Sequence, residues 1–339
     1  MKISHILWGL DYGGIETMVV NIANEQVAAG HDVTVIIINS LVNPELKSRL
    51  KPQIKVVELG RKEGSRNPWH IFKLNRAIKK AAADVVHFHN VNIARLVNKG
   101  LLKKWCTTHH TTWRPELARF FKGHHKLFAI SPEASDDLRN RADVEAQVIV
   151  NGIETDRFRK RENADNSTPF RIVQIGRLNL AIKGQDITME AVKSLVDKGY
   201  NVHVDFIGSG DALDTLVKLA KAFGIEKNVT FRGARSQEYI QEHLADYDLL
   251  VQPSRIEGFG LTVAEAMAAR VPVAVSDLPA LVSIVDNGSC GYIFRGDSAV
   301  KCAKAIEQAM NGENTAMIDR AEERVHKLYD VRSTAHNYL

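Results

Sequence analysis

One run constrains the fold of this chain more than any other: Asp248-Leu249-Leu250-Val251-Gln252-Pro253-Ser254-Arg255-Ile256-Glu257-Gly258-Phe259-Gly260-Leu261-Thr262-Val263-Ala264-Glu265-Ala266-Met267-Ala268. Asp248 to Gln252 is a short apolar run, and Pro253, which has no N–H to donate to a ladder, ends it as a strand. Gly258 and Gly260 then let the backbone approach a ligand closely, and from Thr262 to Ala269 helix formers follow one another without a breaker. Strand, loop and helix in this order point bare backbone N–H groups, at the positive end of a helix, into the space beyond the strand. That is an anion site, best suited to phosphate. Glu257 stands in the loop and Glu265 about one turn inside the helix, about 6 Å further along its axis. An ionised carboxylate only accepts hydrogen bonds, so two of them beside a phosphate site suit a ligand rich in hydroxyls, a sugar or a ribose.

Glu257 and Glu265, eight apart, with Pro253-Ser254 before and Gly258-Phe259-Gly260 between, resemble the E-x7-E signature of retaining family 4 glycosyltransferases. The resemblance implies that Glu257 binds hydroxyls of a donor sugar. It implies too that Gly258, Phe259, Gly260 and Leu261 offer backbone N–H groups where the helix starts at Thr262, and that Glu265 holds the ribose. Gly176-Arg177-Leu178 with Lys183-Gly184 is similar to the family's G-R-L…K-G element, in which Arg177 and Lys183 hold the donor diphosphate. A guanidinium fork and an ammonium beside a helix start agree with that role. Gly13-Gly14 resembles the loop that closes over the donor phosphates and touches the acceptor, and Gly208 opens another strand-to-glycine loop on the donor side. Aligning Thr107-Thr108-His109 with the family's strand-end histidine puts His109 beside the donor sugar; His110 is the alternative, one residue of slip away.

At 339 residues the chain exceeds the usual size of a single core, so two domains are expected. Three cysteines without C-x-x-C spacing argue against a disulfide scaffold or zinc ribbon and fit a reducing cytoplasm. No apolar run has transmembrane length, and the opening segment is broken too soon, at Gly9, for a signal peptide. The net charge of +5 is unevenly spread: residues 1–160 hold 25 basic and 16 acidic side chains, against 20 and 24 in the remainder. Something acidic is expected to face the first half.

Taken in order, Ile3 to Trp8, a glycine loop, the helical run Thr17 to Ala29 and the strand Val33 to Asn39 open an α/β alternation. The absence of G-x-G-x-x-G, and of an acidic residue after the second strand, disfavours NAD. Trp69 to Ala82 reads as a helix with Ile71, Leu74 and Ile78 on one face and Lys73, Arg76, Lys79 and Lys80 around the rest, a composition suited to a membrane surface. Arg119-Phe120-Phe121-Lys122-Gly123-His124-His125-Lys126 interleaves aromatics with charge, but no nucleic-acid motif accompanies it. His87 and His89 share a strand face, yet no carboxylate or cysteine cluster completes a metal site, and Asp246-Tyr247-Asp248 lies where a helix enters a strand, unlike a metal-binding D-x-D. The polar stretch Arg157 to Pro169 reads as a linker.

The expected fold class is therefore α/β, two Rossmann-like domains facing across a cleft in the GT-B arrangement. Residues 1–155 form the acceptor domain, 156–315 the nucleotide-sugar donor domain, and 316–339 a helix packing back on the first domain. The expected activity is metal-independent, retaining transfer of a hexose from a nucleotide-diphosphate donor, UDP-sugar favoured, to a lipid-linked or polysaccharide acceptor of a bacterial surface glycan. No cofactor is expected beyond the donor substrate. The expected location is the cytoplasm, at the inner face of the cytoplasmic membrane through the basic first domain. A nucleotide-sugar epimerase of the same architecture and a non-catalytic nucleotide-sugar-binding module are the rival readings; the basic first domain favours the transferase, since an epimerase has no use for such a surface.

Overall fold

The computed structural model describes residues 1–11, 13–110, 126–162 and 169–339. The chain divides into two compact units, Met1–Ile153 with Asp330–Leu339, and Glu154–Tyr329.

The first unit is built on a seven-stranded sheet: β1 (Lys2–Leu7), β2 (Asp32–Asn39), β3 (Lys55–Arg61), β4 (Val85–Phe88), β5 (Lys104–His109), β6 (Leu127–Ala129) and β7 (Gln147–Val148), in the order β3-β2-β1-β4-β5-β6-β7. Every pairing is parallel, with Ile3 opposite both Val33 and Val85 in the centre. A parallel sheet is covered on both faces, which is why β2 reads as the unbroken run Val33-Thr34-Val35-Ile36-Ile37-Ile38, all buried. The helix Gly14–Ala28 covers one face with Val19, Val20 and Ala23, and Trp69–Ala81 covers the other with Leu74 and Ile78.

The second unit has a six-stranded parallel sheet: β8 (Phe170–Ile175), β9 (Val202–Ile207), β10 (Val229–Gly233), β11 (Leu249–Gln252), β12 (Val273–Ser276) and β13 (Tyr292–Phe294), in the order β10-β9-β8-β11-β12-β13. In both units the strand order reverses at the centre, between β1 and β4 and between β8 and β11. Ligands of open α/β sheets bind beyond the carboxyl ends of the strands at such a switch point. The loops that carry Arg177, Lys183 and Glu257 follow β8 and β11.

Four features differ from the sequence expectation. Strand β3 has no counterpart there, because it is an edge strand with only Leu59 buried and so lacks a strong apolar pattern. Ile71 does not share the burial of Leu74 and Ile78 and is 40% exposed. The linker is in part pinned to the second unit: the Arg159 and Arg161 N–H groups donate to Gln241 and Ala269 carbonyls at 2.9 and 2.8 Å, and the Arg161 guanidinium pairs with Asp248. Residues 163–168 of that stretch, and 119–125 of the aromatic and basic cluster, lie outside the described residues.

The fourth difference is at the end of the chain, which is not one returning helix. Thr315–Leu328 belongs to the second unit, where Arg270 binds Asp319 at 2.7 Å and also pairs with Glu322. The chain then enters the first unit at Asp330. There the Val331 N–H donates to the Ile153 carbonyl at 3.0 Å, and Val331, Ala335 and Tyr338 pack with Met18, Ile22, Phe128 and Ile149. Truncating Tyr338, 5% exposed, to alanine is expected to cost about 3 kcal/mol, as for other buried aromatics. Urea unfolding of Tyr338→Ala checks it; a loss below about 1 kcal/mol would mean that this end does not belong to the core.

Candidate active site

The glycine-flanked loops after β8 and β11 are brought into direct contact. Lys183 Nζ donates to Glu257 Oε2 at 2.7 Å, and both side chains are largely withdrawn from solvent. The same carboxylate oxygen accepts from Gln252 Nε2 at 3.3 Å and Ser254 Oγ at 3.4 Å, and Oε1 accepts from the Gly258 N–H at 3.2 Å. Two residues that the family resemblance implies hold different parts of one donor are thus an ion pair with fixed geometry.

That contact depends on the local sequence. The short helix Leu180–Lys183 is capped by Asn179 Oδ1, which accepts from the Ile182 N–H at 3.1 Å, and it ends in the left-handed residue Gly184 (φ 63°). A Cβ on Gly184 would lie 2.3 Å from the Pro253 carbonyl oxygen, so only glycine lets the two loops lie flat on one another. Gln174, buried at the end of β8, donates to the Lys183 carbonyl at 2.8 Å, while its own oxygen accepts from Thr188 Oγ1 at 2.8 Å. Arg255 completes the assembly. It forms a two-pronged pair with Asp186 (2.8 Å to each oxygen), binds Asp297 at 2.5 Å, and donates to the Leu180 carbonyl at 2.6 Å. The Asp186 hydrogen bonds, opposed by partial burial and joined by the Asp297 bond, raise the Arg255 pKa further, so this cation is permanent. Sequence reasoning missed Arg255; its only signal is its place between Ser254 and Glu257, and an exposed loop arginine looks the same.

The remaining expected donor residues of the second unit occupy the surrounding loops. Gly260 is left-handed (φ 105°) and starts the helix Leu261–Ala268, whose amino end has no side-chain cap. Thr262 Oγ1 donates to Gln252 Oε1 at 3.3 Å. Phe259 is buried and turns its ring against Tyr329, 5.2 Å between centroids. Glu265 is buried and accepts from Gln237 Nε2 at 2.8 Å. Gly208 (φ 144°) is jammed against the β8 loop, since a Cβ there would stand 2.0 Å from the Gly176 carbonyl oxygen. Arg177 is exposed, and its carbonyl accepts from Gln185 Nε2 at 2.9 Å. Gly13 and Gly14 belong to the first unit, where Gly13 is extended and precedes the helix Gly14–Ala28.

Both candidate histidines lie at the end of β5: His109 is its buried last residue and His110 follows it. His110 Nε2 is 3.3 Å from His89 Nδ1, His89 Nε2 is 2.9 Å from His5 Nδ1, and His5 Nε2 is 2.7 Å from Gln26 Oε1. With an amide oxygen at one end that can only accept, the proton positions propagate: each ring donates through Nε2 and accepts at Nδ1, so His110 ends the chain with Nδ1 as an acceptor. Burial keeps these rings neutral. It lowers His5 to about 4 and His110 to about 3, and pushes His87 and His89 well below the ordinary histidine value. His5 was invisible to sequence reasoning, because only the β1–β4 pairing sets it opposite His87. It adds a third imidazole to the His87 and His89 pair, with one nitrogen of each ring within 4.8 Å of the others. In the D-x-D stretch, Asp246 pairs with Arg159 and His243, and Asp248 with Arg161.

Two parallel-sheet α/β units of this build define the GT-B class of glycosyltransferase folds. Residues 155–324 match the family described as Glycosyl transferases group 1, and residues 12–157 match Glycosyltransferase Family 4. The chain belongs to the group 1 glycosyl transferase family. It is 29% identical over 181 residues to a GDP-mannose-dependent alpha-(1-6)-phosphatidylinositol monomannoside mannosyltransferase of Mycobacterium tuberculosis, an alignment covering 49% of this chain and 47% of that protein. The chain spans about half the length of the curated relatives it matches, 40% to 51% for the first of them. Among solved structures, Anabaena Alr3699/HepE in complex with UDP and glucose superposes with a TM-score of 0.83 at 18% identity, covering 100% of this chain and 98% of that one. WaaG, a glycosyltransferase involved in lipopolysaccharide biosynthesis, gives 0.79 at 18% identity and 99% coverage of both chains. At that identity the likeness establishes the fold.

Two outcomes are expected. Gly184→Ala combines left-handed strain with a collision against backbone and is expected to cost on the order of 2 kcal/mol or more. Gly199→Ala, also left-handed (φ 86°) but with nothing within 4 Å, is expected to cost about 1 kcal/mol. Equal losses in urea unfolding would show that the loops are not in contact. For the histidines, the folded chain refuses protons that the unfolded chain accepts below its ordinary value of about 6.5. Their contribution is therefore full above that pH and declines as pH falls towards 4, by up to about 1.4 kcal/mol per pH unit for each ring. The melting temperature is expected to drop between pH 6.5 and 5, before most carboxylates titrate; a flat profile there contradicts buried neutral rings.

Proposed function

We propose that the chain moves a hexose from a nucleoside-diphosphate donor to a lipid-linked or polysaccharide acceptor of a bacterial surface glycan, with retention of anomeric configuration. The observation that carries this reading is the Lys183–Glu257 pair, set beyond the switch point of a parallel sheet, with Glu257 in the loop that leads to an uncapped helix start. A cation and free N–H groups suit a diphosphate, and acceptor-only carboxylates suit sugar hydroxyls.

The chemistry follows from where charge develops. As the bond between the anomeric carbon and the diphosphate oxygen breaks, the carbon gains positive and the leaving oxygen negative charge, as in glycoside hydrolysis. In this reading Arg177, Lys183 and the amino end of Leu261–Ala268 meet the negative charge without recourse to a metal ion. The acceptor oxygen bonds to the anomeric carbon on the face that the diphosphate leaves, and its proton passes to a diphosphate oxygen. Glu257 orients the sugar, helped by His109 or, at the end of the imidazole chain, His110; Glu265 takes the ribose. Uridine diphosphate is favoured, as in the Anabaena structure, and a lipid-linked acceptor has a parallel in the phosphatidylinositol mannoside named for the mycobacterial relative. The basic helix Trp69–Ala81 supports work at the inner face of the cytoplasmic membrane, as a peripheral protein.

Incubating the protein with a panel of nucleotide sugars, scored by thermal shift and by slow donor hydrolysis, tests the donor class. Glu257→Ala and Lys183→Ala are each expected to lower turnover by about 10²–10³-fold, with circular dichroism unchanged. Full activity in both variants would remove the site assignment. Release of an altered sugar nucleotide without any acceptor would favour an epimerase, and binding without turnover a binding module.

A further inference from the structure

The first unit contains a cavity of about 290 Å³ that the donor chemistry does not use. It lies at the carboxyl ends of β1, β3 and β4: Trp8 follows β1, Arg61 ends β3, Asn92 lies in the loop after β4, and Arg66, His70 and Ile71 close it from the approach and first turn of the helix Trp69–Ala81. Its volume is at the small end for ligand pockets, room for a sugar-sized group and not for a whole nucleotide sugar.

No acidic residue is among those lining it, and among the described residues no carboxylate pairs with Arg61 or Arg66. Arg61 is held by neutral partners alone: its guanidinium donates to Asn39 Oδ1 at 2.8 Å and to the Ser65 carbonyl at 2.6 Å, and it stacks 5.3 Å over the Trp8 ring. Trp8 is fixed in turn by its indole N–H, which donates to Asn92 Oδ1 at 2.9 Å. The cation is thus positioned while its charge stays uncompensated, and His70 Nδ1 is buried at the same pocket without a hydrogen-bond partner. The helix that closes the cavity leaves Trp69 and Phe72 54% and 52% exposed, stacked at 4.8 Å, on a segment that also carries Lys73, Arg76, Lys79 and Lys80. An uncompensated guanidinium in a small cavity, next to exposed aromatics on a basic helix, matches a phosphate group presented at a lipid surface.

We propose that this pocket binds a phosphate group carried by the acceptor, through Arg61 and Arg66, with Trp69 and Phe72 resting in the lipid that carries it. This rests on the glycosyltransferase reading for the word acceptor, and on the first unit alone for the site.

The test uses the full chain and two probes. Glucose 1-phosphate, titrated by calorimetry, reports the pocket with a soluble phosphate. Co-sedimentation with phosphatidylcholine vesicles, with and without phosphatidic acid, reports a lipid-borne one. Arg61→Met with Arg66→Ala is expected to weaken binding at least tenfold in both, with unchanged circular dichroism and an unchanged thermal shift on adding uridine diphosphate. Trp69→Ser with Phe72→Ser is expected to reduce vesicle binding alone. If the arginine variant bound both probes like the parent, or the parent bound neither, the pocket assignment would fall. Unchanged donor hydrolysis in that case would leave the transferase reading standing, and retained phosphate binding in a chain that ignores every nucleotide sugar would do the reverse.

Discussion

The candidate site depends on one guanidinium. Arg255 reaches Asp186, Asp297 and the Leu180 carbonyl while its own backbone N–H donates to the Ile182 carbonyl at 2.8 Å, so a single side chain fastens the loops after β8, β11 and β13. Without that fastening the ammonium of Lys183 and the carboxylate of Glu257 would each sit on an independent loop, and holding two long side chains in one geometry costs side-chain entropy. With it, the cost is met during folding, by hydrogen bonds that the ligand does not have to supply.

Buried polar residues at strand ends extend the same logic. Gln174 on β8, Gln252 on β11 and Ser276 on β12 are buried at or near the ends of their strands, and each hydrogen-bonds the segment that follows a strand beside it; Ser276 Oγ, for instance, donates to the Ser254 carbonyl at 2.7 Å. A buried amide without a partner costs on the order of 1–3 kcal/mol, so these residues specify one loop conformation out of many. In the first unit the imidazoles of His5, inside β1, and of His89 and His110, just after β4 and β5, play the corresponding part. They are paired and kept uncharged, in a setting where a positive ring would be expensive.

Most of the architecture was legible because parallel strands buried on both faces announce themselves as mainly aliphatic runs, Val33 to Ile38 and Leu249 to Val251 among them, separated by glycine turns. The donor loops were legible because glycine, acid and base recur there at spacings set by the strand-to-helix turn. What escaped had no such periodic signal. Strand β3 is half exposed; Arg159 and Arg161 look like linker charges until their backbone N–H groups are seen to bind the second unit; His5 gains meaning only from its neighbour across the ladder. The division of the last residues at Tyr329 and Asp330 was hidden because Thr315–Leu328 and Val331–Asn337 are both helical and only two residues apart.

That division has a consequence for how the chain comes to be folded. Val331, Ala335 and Tyr338 close a core that includes Met18 and Ile22, residues made more than three hundred positions earlier. As the protein leaves the ribosome, the second unit can complete itself while the first still waits, its apolar seam open, for the closing segment to emerge. The order of synthesis is therefore not the order of completion, and the vulnerable interval for aggregation or chaperone capture belongs to the part of the molecule that is translated first.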